Sequence, residues 1–158
     1  MKTNAARLLD SLNIPYELRP YEVHPDDLTA ISVARKIGLP PEQVFKTLLT
    51  HANSGEFLFA VIPGDTELDL KKLAVAANVK KIELASLKEV EPLTGYIRGG
   101  VTVMGAKKPH PAYADETIEL FDIISVSAGQ RGLQLLLSPA DYLRAAKATL
   151  ADLTKDLA

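Results

Sequence analysis

Between Phe45 and Ile62 the chain runs as two extended apolar stretches, Phe45 to His51 and Glu56 to Ile62, separated by Asn53-Ser54-Gly55. Alternation that closes on a Ser/Asn/Gly turn predicts a β-hairpin and commits this part of the chain to a sheet. Pro63-Gly64-Asp65 then turns the chain away.

Helical spacing surrounds the hairpin. Ala5, Leu8, Leu9 and Leu12 recur on one helix face, with Thr3 or Asn4 as N-cap and Asn13 as stop. Ala30, Val33, Ala34 and Ile37 mark a second helix, closed by Gly38 and Pro40-Pro41. Asp69 caps a third, with Leu70, Leu73, Ala74 and Ala77 on its apolar face and an end near Asn78. Ser86 and Glu89 have capping-box spacing for a short fourth. Ser138-Pro139 opens a last helix whose core face takes Tyr142, Leu143, Ala146 and Leu150.

Further strands are expected over Tyr16 to Val23, an edge because of Pro20, and over Val79 to Leu84, Ile118 to Val126 and Leu133 to Leu137. Interspersed helices and strands make the fold class mixed α/β (α+β), with about six or seven strands. No repeat or linker divides the 158 residues, so one domain over 1–158 is expected.

Composition narrows the chemistry. The chain has no Cys, which removes disulfides, thiolate metal sites and a cysteine nucleophile of its own. His24, His51 and His110 lack metal-ligand spacing, and neither a nucleophile elbow nor a phosphate-binding glycine fingerprint is present. The N-terminus does not read as a signal peptide and no run is long enough to span a bilayer, so a soluble cytoplasmic protein is expected.

The formal charge is −2, yet it is uneven. From Leu70 to Ala112 there are eight basic residues, Lys71, Lys72, Lys80, Lys81, Lys88, Arg98, Lys107 and Lys108, against three acidic ones. Such a segment suits a phosphate-binding face, or simply solvated lysine pairs. Lys46, on the first hairpin strand, could hold a charge at a pocket mouth or point to solvent. Thr94 to Lys108 carries four glycines, too many for a regular helix. Gly99, Gly100 and Gly105, with Gly129 and Gly132, either let backbone amides approach a ligand or only form turns.

Three of these segments, VFKTLL, TGYIRGG followed by GAKK, and SVSAGQRGL, resemble in order and spacing the motifs of the YbaK/EbsC family. That family contains free-standing aminoacyl-tRNA deacylases related to the editing insertion domain of bacterial prolyl-tRNA synthetase. The resemblance runs from about Leu8 to Tyr142 and is nearest to the Cys-tRNA(Pro) deacylases. It implies a strongly bent, barrel-like mixed sheet with surrounding helices and a cleft for the aminoacylated 3′ end of tRNA.

Lys46 matches the family's key functional lysine. By the resemblance, Lys46 anchors the terminal adenosine or its phosphate, and backbone amides at Gly100 and Gly129 stabilise an oxyanion. Tyr21, Thr47, Gly99, Thr102, Gly105, Ser127 and Arg131 contact substrate. From the charge pattern, Lys71, Lys72, Lys80, Lys81, Arg98, Lys107 and Lys108 are the residues expected to contact tRNA. No cofactor or metal is implied, and prolyl-tRNA synthetase is a further expected partner. Thr102-Val103 stands where the family often has Ser-Pro, and Ala128 where it often has Gly.

The implied mechanism is substrate-assisted: the cysteine thiol attacks its own ester, and the protein supplies orientation and electrostatics. Two alternatives stand beside it. One is a deacylase for alanine or another small residue, which needs an activated water. The other is a non-catalytic module that holds tRNA or a synthetase.

Overall fold

The computed structural model describes residues 2–156. Its hairpin joins β2 (Phe45–Ala52) to β3 (Phe57–Pro63), with Gly55 at φ +95° in the turn. Every residue of β3 from Leu58 to Pro63 is buried. A strand covered on both faces reads as a continuous apolar run, and FLFAVIP is one.

The helices start and stop where side chains satisfy their end groups. α1 (Asn4–Ser11) is capped by Thr3, whose hydroxyl accepts from the Ala6 N–H. α2 (Ala30–Ile37) is capped by Thr29 and ends at left-handed Gly38. α3 (Leu70–Ala77) begins at Asp69, which accepts from the N–H groups of Lys71 and Lys72. α4 (Leu87–Thr94) carries the Ser86–Glu89 capping box, and α5 (Pro139–Ala146) the Ser138 cap.

Two sheets result. β1 (Glu17–Pro20), β7 (Leu133–Leu137) and β6 (Ile124–Ser127) form an antiparallel three-stranded sheet in the order β1-β7-β6. The other has five strands in the order β4-β2-β3-β5-β8, with β4 at Ile82–Leu84, β5 at Ala112–Asp115 and β8 at Ala148–Ala151. β3, β5 and β8 run parallel, whereas β2 is antiparallel to both of its neighbours. A parallel bridge between Val44 and Ser125 connects the start of β2 to β6.

The largest core cluster takes residues from both sheets. It combines Leu9 of α1, Phe45, Val61 and Ala114 of the five-stranded sheet, Val126 and Leu135 of the other, and Tyr142 of α5. On the opposite face Leu58, Ala60 and Ile62 pack with Leu73 of α3 and Leu153.

The expected bent mixed sheet with surrounding helices is present, as two sheets joined by a bridge. Other expectations are corrected. Eight strands form among the described residues, because Ala112–Asp115 and Ala148–Ala151 pair in parallel as well. Ile118 is fully buried, yet it belongs to a 3-10 turn over Glu116–Leu120 that Asp115 caps, so the strand begins only at Ile124. Leu150 lies in β8 rather than α5, since Lys147 takes a left-handed conformation and ends the helix.

Candidate active site

A cleft of about 450 Å³ opens where the two sheets meet. One wall is β2 from Phe45 to Leu49; another is the first turn of α2 with Leu28 and Thr29. Leu84, Ala85, Leu87 and Val90 close one side, and Arg98, Gly99, Val101, Ser127 and Gln134 close the other. The positive end of the α2 dipole therefore faces this space. Among the described residues, Lys46 and Arg98 are the only ionisable side chains in its lining.

Lys46 is half-buried, and its Nζ donates to the Gly64 carbonyl at 3.4 Å. Removal from water pushes its ammonium below the usual lysine pKa, opposed by the charges of Asp65 and Glu67. A desolvated cation with few fixed partners is suited to meet an incoming phosphate or polarised carbonyl.

Of the residues singled out by sequence, Lys46, Thr47, Arg98, Gly99 and Ser127 come together here. Tyr21 is outside the lining: it packs on the α2 cluster, of which Val33 and Val44 border the cleft, with Lys36 Nζ 5.9 Å from its ring centroid. Thr102 is fully buried and its hydroxyl lacks a partner, as does that of Thr47.

The glycines bring chain segments against one another. A Cβ on Gly100 would lie 2.9 Å from Gln130 Cα, and one on Gly129 would lie 2.8 Å from the Tyr96 ring. Gly105, at φ +70°, sits under α1, where a Cβ would be 2.8 Å from the Asn4 carbonyl. Arg131 completes this loop-to-loop contact, its Nε donating to Arg98 O at 2.8 Å. The Gly100 N–H donates to Ile97 O at 2.8 Å and the Gly129 N–H to Ser127 Oγ at 3.2 Å, so both amides are engaged within turns.

The basic residues divide. Lys72 is engaged by Asp152, Asp156 and the Thr154 carbonyl, tying α3 to the chain's last described segment. Lys71, Lys80, Lys81, Lys107 and Lys108 are exposed, with Lys81 3.9 Å from Glu83.

Gln134 was not anticipated. Its Oε1 accepts from Ser125 Oγ at 2.7 Å, and its residue borders the cleft. The signal in the sequence was a lone amide within LQLLL. Among the described residues, no three or more His, Cys, Asp or Glu gather as metal ligands, and no helix is long and apolar enough to cross a membrane.

The structure is a mixed α/β fold with a cleft at the joint of two sheets that carries two cations in its lining. The comparisons make this particular. A sequence model of the aminoacyl-tRNA editing domain matches residues 24–145. EbsC of Enterococcus faecalis, provisionally named a Cys-tRNA(Pro)/Cys-tRNA(Cys) deacylase, is 43% identical over 97% of this chain and 93% of its own length. A proline–tRNA ligase of Trichlorobacter lovleyi is 30% identical over 69% of this chain, which corresponds to 19% of that enzyme. A solved structure, described as a candidate trans-editing enzyme for prolyl-tRNA synthetase, superimposes with a TM-score of 0.81 at 25% identity over 99% of both chains. The chain belongs to the aminoacyl-tRNA editing domain family.

Proposed function

We propose that this protein is a trans-acting deacylase that removes cysteine from mischarged tRNA(Pro), with the ester held in the Lys46 cleft. One observation carries the reading: among the described residues the cleft is lined by two cations and by no Asp, Glu, His or Cys. Such a lining can orient an ester and stabilise anionic charge, and among the described residues it holds no carboxylate or imidazole to activate water. The reactive group then comes from the substrate.

The thiol of the bound cysteine loses its proton and the sulfur attacks the ester carbonyl carbon. A C–S bond forms, the C–O bond to the ribose breaks, and the ribose oxygen takes up the proton. The cyclic thiolactone leaves and hydrolyses in water. Lys46 holds the terminal adenosine or its phosphate, and Arg98 contributes positive charge at the same cleft. A hydrolytic check of this kind is useful because pocket fit alone separates similar side chains by only a few kcal/mol. The reading places the protein in the cytoplasm, where prolyl-tRNA synthetase supplies the mischarged tRNA.

Exchange of sulfur for oxygen tests the mechanism. Purified protein should deacylate Cys-tRNA(Pro) at least about 100-fold faster than Ser-tRNA(Pro), since the hydroxyl is a far weaker nucleophile without an activating base. Equal rates on the two, or efficient release of Ala, would replace cyclisation by water attack.

A further inference from the structure

Strand β7 reads LQLLL, an apolar run that a single amide interrupts. Leu133, Leu135 and Leu137 pack in or against the largest core cluster. Side chains alternate along a strand, so Gln134 turns to the other face of the sheet, where it shares the cleft wall with Ser127, opposite it on β6. Gln134 is only 4% exposed. Burying a carboxamide costs free energy unless both of its ends find partners, and a leucine at this position would carry no such cost.

One end has a partner. Ser125, fully buried on the same face of β6, donates its hydroxyl to Gln134 Oε1 at 2.7 Å. The neighbours across the two ladders are occupied elsewhere. Arg19, opposite on β1, donates to Glu17 and to the Ile37 carbonyl, and Ser127 Oγ accepts from the Gly129 N–H. Gln134 Nε2 makes no hydrogen bond among the described residues. The side-chain groups there that are both sealed and without a partner are the hydroxyls of Thr47, Thr102 and Tyr142, so Nε2 keeps an opening. The space it borders is the cleft. A nearly buried amide, anchored through its oxygen, thus presents N–H donors to the cleft.

An NH2 group only donates, so the ligand atom it meets is an acceptor. Phosphate oxygens are better served by the cations Lys46 and Arg98. The carbonyl oxygen of an aminoacyl ester suits a neutral donor that is fixed before the substrate arrives and reorganises little as charge develops. We propose that Gln134 Nε2 donates to that carbonyl oxygen and stabilises it as an oxyanion. This rests on the reading that the cleft holds an aminoacyl ester. When the substrate's sulfur attacks the carbonyl carbon, the C=O π electrons move onto the oxygen bonded to Nε2. They return as the C–O bond to the ribose breaks, and the ribose oxygen takes up the thiol proton. Gln134 is then a catalytic residue, in a part that the engaged amides of Gly100 and Gly129 leave open.

Two variants isolate the donor. Q134M keeps the length of the side chain and removes the amide, whereas Q134E keeps an acceptor for Ser125 and puts an oxygen in place of the nitrogen. With Cys-tRNA(Pro), both should lose at least about 100-fold in kcat with little change in KM, the usual effect of deleting one oxyanion donor. A folded Q134M or Q134E with the kcat of wild type overturns the proposal, and so does a loss confined to the unfolding midpoint. If both variants misfold, the wild-type protein is read by NMR. The Gln134 side-chain amide resonances should move on adding 3′-deoxy-3′-cysteinylamido-adenosine, and no movement overturns the contact. Should wild type release no amino acid from any tRNA, the functional reading fails, while the same resonances still decide whether Gln134 meets an aminoacyl group.

Discussion

Lys46 is one of two cations in the cleft lining, and its burial has a measurable sign. The folded protein lowers its pKa, so between that value and 10.5 the folded chain binds fewer protons at this position than the unfolded chain. The stability contributed by this group accordingly rises with pH across that window. On the proposed function activity runs the opposite way, because the ammonium is the form that holds the ligand there. An alkaline limb is expected in the kcat/KM profile below pH 10.5, and K46R should move it upward, since a guanidinium stays charged there. A limb unmoved in an active K46R protein would assign it to another group. Lys46 was legible from sequence as a cation amid apolar strand residues. Thr47 was legible only as a motif neighbour, because its place in the cleft wall depends on how the two sheets meet, a tertiary fact.

At the level of elements, the C-terminal segment shows what local sequence could not say. Asp115, almost fully buried, accepts from the Leu153 N–H at 2.9 Å and also caps the following turn. D115A should destabilise the fold by about 1–3 kcal/mol through the stranded amide, read by chemical unfolding. K72A should lower the thermal midpoint, because Lys72 clasps the same segment, and should weaken tRNA binding less than K107E/K108E does. Greater weakening by K72A would return that residue to the tRNA face.

Helix starts were readable because Thr3, Asp69, Ser86 with Glu89, and Ser138 each satisfy orphan amides with a local side chain. β5 and β8 were not, because AYAD and ATLA consist mostly of small residues with weak strand preference. Only the partners β3 and β5, distant in sequence, make them strands. Ile118 misled for a related reason: apolar burial looks the same in a strand and in a capped turn.

At the scale of the molecule, the core joins the two sheets through Phe45, Val61, Val126 and Leu135, so they should unfold together. Far-UV circular dichroism and tyrosine fluorescence are expected to trace one coincident transition; separated midpoints would divide the fold into two units. Net charge of −2 hides the basic segment from Leu70 to Ala112. Binding of tRNA should therefore weaken as salt rises, with a smaller slope for K107E/K108E.

The most direct test is release of cysteine from Cys-tRNA(Pro) by purified wild-type and K46A proteins, followed against the spontaneous rate. The wild type should clear the ester well above background, and K46A should retain its fold while losing most of that excess. A K46A protein as fast as wild type, or a wild type no faster than buffer, would contradict the account.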